Sequence, residues 1–404
     1  MAGRASNTPS GARFRLTGPQ PLERIREALL IAKPSFFQRF LLPGITFKAV
    51  VIGGGYATGR ELAEFFFPTG PLGGLYGMLL AMAIWSLVCA VAFALSHHLR
   101  AYDYRTLMQS VLGPFWVVFE VFYVLFLILI LAVMSAAAGE IGAALFGWPP
   151  VVGTLLLMAA VAATTSFGND GVERVFRFTS GFLYLVYALF LVLAITYFSD
   201  GIGEALTIAP TSQEWIVGGA TYASYNFVAA IAVLPFIRRL TSRRDAIVAG
   251  ALAGPLAMAP ALVFFLSMSA FYPEIAGASL PSDFVLEELG LPWFQLMFQL
   301  MIFCALVETG VGVVNALNER IEVALENSGR GEFSFLGRLG VAAVLLLVSG
   351  FAAVRFGLVD LIAQGYGAFG YIMLAILVLP LMTVGLWRLA RPAWGKTSKG
   401  DANT

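Results

Sequence analysis

Ten consecutive residues near the start of the chain, Ile52-Gly53-Gly54-Gly55-Tyr56-Ala57-Thr58-Gly59-Arg60-Glu61, carry most of the information about the fold. Four of the seven residues from Gly53 to Gly59 are glycine, and they lie in the middle of an apolar run. Each glycine costs a helix interior about 1 kcal/mol relative to alanine, so a helix is expected to unwind here. Three adjacent glycines exceed what a tight helix crossing, the alternative explanation, would need. The motif therefore predicts a helix that is broken halfway along its length.

The composition around this motif is that of a protein embedded in a membrane. Of the 404 residues, 59% are hydrophobic and 12% are charged, and the mean hydropathy is +0.83. Soluble domains carry about 25% charged residues. The composition and the net charge of only +1 exclude a soluble enzyme, a disordered protein and a nucleic-acid binder. Cys89 and Cys304 both lie in apolar runs, so no disulfide framework is expected.

Apolar stretches long enough to cross a bilayer follow one another along the chain. A spanning helix needs roughly 17–25 mostly apolar residues, because every backbone amide must be paired within the hydrocarbon. That length predicts an all-α polytopic protein with ten spans, at approximately 41–66, 71–97, 114–144, 150–167, 173–198, 213–237, 246–271, 292–320, 336–353 and 357–387. The first 40 residues are polar and basic, and they contain no pattern typical of a cleaved secretory signal.

The lysines and arginines predict how these spans are oriented, since such residues accumulate in cytoplasmic loops. With the N-terminus inside, 22 of the 25 basic residues fall in the tails and inner loops, and only Arg355 falls in an outer loop. The remaining two, Lys48 and Arg60, lie in the first span. We therefore expect a multi-pass protein with cytoplasmic tails at 1–40 and 388–404.

The two halves of the chain resemble each other. The segment Gly171–Gly181 between spans four and five corresponds to Gly357–Gly367 between spans nine and ten, with apolar runs on both sides. Because five is an odd number, a second repeat would be inserted upside down relative to the first. We expect the repeats at 41–198 and 213–387, joined by an extracytoplasmic connection at 199–212. Inverted repeats of this kind are typical of secondary transporters, in which the substrate binds at the midplane where the repeats meet.

The sixth span holds the position in the second half that the glycine motif holds in the first. Its polar run Thr221-Tyr222-Ala223-Ser224-Tyr225-Asn226 predicts a second helix break opposite the first. Freed carbonyls at such breaks coordinate cations and freed amides attract anions. The substrate-binding residues predicted from the two breaks are Gly53, Gly54, Gly55, Tyr56, Thr58, Tyr222, Ser224, Tyr225 and Asn226. Alternatively, Ser224 and Asn226 only bridge neighbouring helices.

The first-span motif, which can be written Gly-small-Gly-aromatic-Ala-Ser/Thr-Gly-x-Glu, resembles the YkvI-type bacterial membrane proteins. These proteins are placed in the amino acid–polyamine–organocation superfamily. The resemblance extends over all ten spans, although only residues 53–61 are distinctive. It implies a LeuT-like five-plus-five inverted repeat with helices 1 and 6 discontinuous, located in the bacterial cytoplasmic membrane. It implies no particular substrate.

The same resemblance implies a place for a coupling ion. In transporters with the LeuT-like fold, one sodium ion lies between carbonyls before the break in helix 1 and small or hydroxyl residues on helix 8. The matching positions in this sequence are Ala49, Ile52, Ala305, Glu308 and Thr309. Glu308 stands where a hydroxyl is usual, and Lys48 is placed to reach it. Three interpretations stay open: proton coupling through this pair, sodium coupling, and a purely structural ion pair.

Arg60 and Glu61 follow the glycines on the outer half of the first span. They are predicted to form part of a gate above the substrate. The alternative is a local ion pair between Arg60 and Glu64, which are one helical turn apart.

Together, these features favour a secondary active transporter of a small amino-acid-like or amine solute, coupled to H⁺ or Na⁺, that works by alternating access. The alternative is a membrane sensor that kept a transporter fold without transport. We expect a small-molecule solute and the lipid bilayer as partners, and neither an enzyme activity, a nucleic acid, a cofactor nor a bound metal. The sequence does not predict the oligomeric state.

Overall fold

The structure is a computed structural model that describes residues 35–51, 54–166, 168–327 and 334–390, and nearly all of this part is helical. Six of the described helical segments are long and apolar enough to cross a membrane. They are Arg60–Leu99, Tyr104–Phe146, Leu185–Ala205, Arg243–Ser269, Pro292–Glu322 and Phe335–Ala390. The chain therefore folds as a bundle of apolar helices, as its composition predicts.

The first half of the chain contains eight α-helices in the described residues. They are α1 (Leu42–Val51), α2 (Gly54–Ala57), α3 (Arg60–Phe66), α4 (Gly70–Leu99), α5 (Tyr104–Leu112), α6 (Trp116–Phe146), α7 (Pro150–Ser166) and α8 (Gly168–Ala205). A π-helical turn, Phe37–Leu41, precedes α1. The predicted first span is thus divided among three short helices.

The second half continues with helices that are interrupted more often. They are α9 (Trp215–Asn226), α10 (Val228–Val233), α11 (Arg243–Ser269), α12 (Pro281–Glu288), α13 (Pro292–Asn327), α14 (Phe335–Asp360), α15 (Gly367–Met373) and α16 (Leu386–Ala390). After α14 the chain passes through π-helical turns at Leu361–Tyr366, Leu374–Val378 and Leu381–Gly385. Such turns are rare and often lie at functional sites.

The tightest helix pair, α4 against α11, depends on two glycines. Gly250 and Gly254 lie one turn apart on α11, and a side chain at either position would collide with the backbone of α4 at Ala90 or Met82. Without side chains there, the two backbones approach closely, which is how helices gain packing energy where lipid removes the hydrophobic driving force. Helix α11 of this pair also packs against α1 and lies next to Gly59.

Several segments differ from the sequence-based boundaries. The predicted connection at 199–212 is partly helical, because α8 continues to Ala205 with a kink at Phe198. Predicted loops contain α5, which Asp103 caps by accepting a hydrogen bond from Thr106 N at 2.8 Å, and α12. The ninth and tenth predicted spans are joined by a kink at Gly357, where φ is +76°, rather than by a loop.

Candidate functional site

The break in the first helix lies at Thr58–Gly59. The predicted unwinding from Gly53 to Gly59 is corrected in part, because Gly54–Ala57 forms a helical turn; Ile52 and Gly53 lie outside the described residues. Gly59 has φ +79°, a left-handed conformation that ends the turn. The Thr58 hydroxyl donates to Gly55 O at 2.7 Å and accepts from Arg60 N at 3.3 Å. The Thr58 hydroxyl thus satisfies two of the backbone groups near the break, Gly55 O and Arg60 N.

One freed carbonyl at this break is satisfied from another part of the chain. The carbonyl of Thr58 accepts a hydrogen bond from Ser282 N at 2.9 Å, at the start of α12. The first turn of α12 therefore supplies the hydrogen-bond donor that the next turn of an unbroken helix would have supplied to Thr58. The sequence contained no signal for this contact, because 224 positions separate the two residues (282 − 58).

The helix of the second half is only distorted at Phe227, between α9 and α10, because Phe227 keeps helical dihedral angles of φ −62° and ψ −19°. No break is present at residues 221–226, where one was predicted, since that run is helical. Ser224 Oγ donates to Ala220 O at 2.7 Å and Asn226 Nδ2 to Tyr222 O at 3.1 Å, so both polar side chains bond one turn back in their own helix. In the same helix, the carbonyl of Ala223 accepts hydrogen bonds from Phe227 N and from the Trp85 indole nitrogen, each at 3.0 Å.

A cavity of about 420 Å³ lies between the break in the first helix and the distorted turn at Phe227. Residues on both sides of each point line it, namely Val51 and Glu61 on the first helix and Asn226 and Val228 around Phe227. Seven predicted site residues contribute to its wall: Ala49, Glu61, Tyr225, Asn226, Ala305, Glu308 and Thr309. Four predicted ion-coupling residues therefore face the same cavity as part of the predicted substrate site: Ala49 on α1 and Ala305, Glu308 and Thr309 on α13.

Other predicted site residues lie behind this wall. Of those whose surroundings the structure describes, these are Lys48, Gly55, Tyr56, Thr58, Arg60, Tyr222 and Ser224, none of which lines the cavity. Tyr56, Thr58, Tyr222 and Ser224 are buried and pack between helices. Whether Lys48 pairs with Glu308 stays a prediction.

Glu61 is the buried carboxylate of the cavity, and its side chain forms part of the wall; its role in a gate stays a prediction. Glu61 is 4% exposed, and its Oε2 accepts a hydrogen bond from the Tyr225 hydroxyl at 2.8 Å. Its Oε1 lies against Gly55, where any side chain would collide with it. The glycine of the motif thus leaves room for the carboxylate six residues later.

Aromatic rings form the wall next to Glu61. The rings of Tyr225 and Tyr366 stack with centroids 4.8 Å apart, and Phe126 lies 5.8 Å from Tyr366. Tyr123 lines the same cavity on α6. Sequence reasoning missed Tyr123, Phe126 and Tyr366; only Tyr366 carried a signal, because it lies in the repeated segment Gly357–Gly367.

Arg60 connects the end of the cavity nearest Glu61 to the segment 274–283. Its Nη1 donates to the carbonyls of Ala276 at 3.0 Å and Ala278 at 2.9 Å, and its Nη2 bonds Glu64. The adjacent Ser279 hydroxyl donates to Glu140 Oε2 on α6 at 2.8 Å. Arg60 therefore pairs with Glu64 and also holds a neighbouring segment across the end of the site, while its role in a gate stays a prediction.

At the opposite end of α6, Arg320 is enclosed by aromatic rings. Its guanidinium carbon lies 3.9 Å from the Tyr123 ring centroid and 4.2 Å from that of Tyr104, and Nη1 bonds Glu120 Oε1 at 2.9 Å. Near this end, the lining residues Ala49, Val50 and Gly312 are exposed, whereas Glu61 and Tyr225 are buried. The cavity is therefore more open here than beside the 274–283 segment.

Two curated proteins of Bacillus subtilis (strain 168) are similar to the chain over most of its length. The "Uncharacterized membrane protein YkvI" is 24% identical over 333 residues, which cover 82% of this chain and 92% of that protein. The "Uncharacterized protein YyaD" is 21% identical over 341 residues, which cover 82% and 94%. No protein-family model matches the chain. The similarity to a membrane protein and the six apolar helices establish the chain as a membrane protein.

Solved structures of a manganese transporter from Eremococcus coleocola share the fold. One, in complex with an aromatic bis-isothiourea substituted compound, has a TM-score of 0.53 at 14% identity and covers 84% of this chain and 77% of that one. A mutant of the same transporter has a TM-score of 0.51 at 15% identity, with 86% and 78% covered. The chain therefore has a fold that is found in membrane transporters.

Proposed function

We propose that the protein is a secondary active transporter of a small amino-acid-like or amine solute. The observation that carries this proposal is the cavity beside the break at Thr58–Gly59, with both carboxylates, Glu61 and Glu308, in its wall. Irregular backbone at membrane depth is tolerated where it is buried in protein or lines a cavity. A site beside a discontinuous helix is an arrangement that secondary transporters use.

The proposal includes a LeuT-like architecture of ten spans in two inverted repeats, at 41–198 and 213–387. The similarity of the fold to a transporter supports it, and so does the relation to YkvI-type proteins. The basic residues support a location in the bacterial cytoplasmic membrane with both tails inside. Alternating access would then require the 274–283 segment, which Arg60 holds, to release the site on the outer side.

Glu308 is the residue proposed to carry the coupling ion. It lines the cavity together with Ala49, Ala305 and Thr309. A carboxylate at this position can bind Na⁺ directly or carry a proton, whereas a hydroxyl can only contribute to a cation site. An intramembrane carboxylate costs at least about 2.5 kcal/mol on insertion scales, so its position in a cavity wall favours a functional role.

The test is flux into proteoliposomes that contain the purified full chain. Radiolabelled amino acids and amines are supplied with an imposed proton gradient, an imposed sodium gradient, or neither. We expect uptake of at least one solute above protein-free vesicles, driven by one of the two gradients. Uptake by Glu308→Gln should lose its dependence on that gradient. Glu319→Gln, an exposed glutamate on the same helix, is the matched control.

Two outcomes would contradict the proposal. Solute binding without flux under any gradient would identify a sensor with a transporter fold. Mn²⁺ is included among the solutes tested because the solved structures with this fold are of a manganese transporter. Uptake of Mn²⁺ without uptake of any organic solute would show that the transported substrate is a metal ion. Gradient-driven uptake that is unchanged in Glu308→Gln would remove the coupling role while leaving the transporter in place.

A further inference from the structure

We propose that the cavity selects a small organic ammonium cation, with Glu61 as its counter-charge and Tyr225, Tyr366 and Phe126 as the aromatic wall around it. This inference rests on the proposed transport function and names the class of solute that the site takes. It also assigns Glu61 to solute binding, and it brings in two residues, Phe126 and Tyr366, for which the sequence predicted no role.

The charge of the cavity supports a cation. Glu61 is 4% exposed, and its hydrogen-bond partner is the neutral hydroxyl of Tyr225. The neighbouring cation in sequence, Arg60, points away from it and bonds Ala276, Ala278 and Glu64. Within the part of the chain that the structure describes, no cation pairs with Glu61; a buried carboxylate in that state is costly, and a cationic solute in the cavity would supply the pairing.

The aromatic side chains support an organic ammonium ion over a hydrated metal. Ammonium groups are attracted to the faces of aromatic rings, and cages of such rings recognise alkylated ammonium ligands. The rings of Phe126, Tyr225 and Tyr366 lie within 6.3 Å of one another, centroid to centroid, next to Glu61. The chain already encloses one organic cation this way, since the Arg320 guanidinium lies between the rings of Tyr104 and Tyr123.

The rest of the wall suits a short hydrocarbon. Leu127, Ile130, Met134 and Val228 line the cavity beyond the rings. A volume of about 420 Å³ falls within the range of roughly 300–1,000 Å³ that is typical of small-molecule sites. An alkyl ammonium ion can place its charge beside Glu61 and its chain along these apolar residues.

The experiment measures binding by calorimetry to the purified full chain in detergent. The probes are n-butylammonium, tetramethylammonium, pentanoate as an anion of similar size, and Mn²⁺. We expect both ammonium ions to bind and pentanoate not to bind. Glu61→Gln should weaken butylammonium binding by at least about tenfold, and Tyr366→Leu by several-fold, in the range of a cation–π contact. Tyr366→Phe, which keeps the ring, should bind like the wild type.

Controls separate a local effect from misfolding. Glu319→Gln removes an exposed carboxylate from α13 and should leave binding unchanged. The unfolding temperature of each variant without ligand checks its fold. If Glu61→Gln does not fold, two other results test the inference: the ranking of the four probes on the wild type, and the difference in binding between Tyr366→Leu and Tyr366→Phe. Equal binding of pentanoate and butylammonium, binding of Mn²⁺ alone, or full affinity in Glu61→Gln would overturn the inference.

The outcome is distinguishable from that of the flux assay. Gradient-driven uptake of an uncharged or anionic solute, with no ammonium binding, would overturn this inference and leave the transporter proposal standing. Ammonium binding that depends on Glu61, with no flux of any solute, would support the inference and contradict the transporter proposal.

Discussion

Gly59 is the residue at which the first helix changes direction, and two separate constraints hold it as glycine. Its φ of +79° is a conformation that other residues adopt at a cost of about 1–2 kcal/mol. A Cβ there would also lie 3.1 Å from Met268 Sδ and 3.2 Å from Pro281 Cβ. Backbone strain and crowding against α11 and α12 therefore act at the same position.

We predict that Gly59→Ala lowers the free energy of unfolding by about 1–3 kcal/mol, because it combines strain with a contact that must shift. The measurement is thermal unfolding of the purified protein in detergent. Gly113→Ala is the control for strain alone, since Gly113 has φ +57° and open space around it; Gly203→Ala has neither constraint. We expect the loss to fall in the order Gly59, Gly113, Gly203. A Gly59→Ala protein as stable as Gly203→Ala would contradict this account.

At this scale the sequence predicted a break between Gly53 and Gly59, but not that it would lie at Thr58–Gly59. The cost of four glycines is local, so the motif is sufficient to indicate that the helix is interrupted. Which peptide opens depends on Thr58, whose carbonyl finds its partner at Ser282, far along the chain. The helical run 221–226 shows the converse, because Ser224 and Asn226 bond their own helix instead of leaving it open.

At the scale of elements, α3 and the 274–283 segment are held together mainly by Arg60. One guanidinium donates to two backbone carbonyls of this segment and also pairs with Glu64 on its own helix. Asp283, at the end of the segment, accepts hydrogen bonds from Gln295 at 2.9 Å and Gln299 at 2.7 Å, which attach it to α13. The segment thus bridges two helices whose side chains line the cavity.

We predict that Arg60→Gln loosens this segment without unfolding the bundle. A hydrogen bond to a charged donor contributes about 1.5–3 kcal/mol, so amide hydrogen exchange in residues 274–283 should accelerate about tenfold or more. Mass spectrometry of peptides from this region provides the measurement, with peptides of α4 and α11 as an internal reference. Glu64→Gln keeps both carbonyl contacts and should leave the exchange nearly unchanged. Equal acceleration in the two variants would show that the ion pair, not the carbonyl contacts, holds the segment.

The elements that sequence reasoning missed are those without a long apolar run. Helix α12 has eight residues and lies in a predicted outer loop, and α5 is a nine-residue amphipathic helix in a predicted inner loop. Apolar periodicity identifies helices that cross a bilayer, whereas these short ones depend on contacts with the bundle. The aromatic wall was missed for a related reason, because Tyr123 and Phe126 are part of a continuous apolar run in α6 that shows no preferred face.

At the scale of the whole molecule, the proposed orientation and the shape of the cavity together indicate toward which side of the membrane the cavity opens. The end at which Ala49, Val50 and Gly312 are exposed is the end that the basic residues predict to be cytoplasmic. The end that Arg60 holds is predicted to face outward. The described conformation would then be open toward the cytoplasm and closed outside.

Cysteine labelling tests this arrangement in native membranes. Cys89 and Cys304 are first replaced by alanine, and single cysteines are introduced as Ala316→Cys in the cavity wall or Glu274→Cys on the exposed segment. A membrane-impermeant maleimide should label Ala316→Cys in inside-out vesicles and Glu274→Cys in intact cells or right-side-out vesicles. Butylammonium should slow labelling of Ala316→Cys. The reverse pattern of labelling would show that the orientation predicted from the basic residues is wrong.

The hydrogen bond from Ser282 N to Thr58 O has an energetic consequence if the protein is a carrier, as proposed. Opening of the outer side would separate these two groups, and a backbone carbonyl without its hydrogen-bond partner costs about 1–3 kcal/mol until water replaces it. The resting carrier would therefore favour the inward-facing state, whether it is empty or loaded.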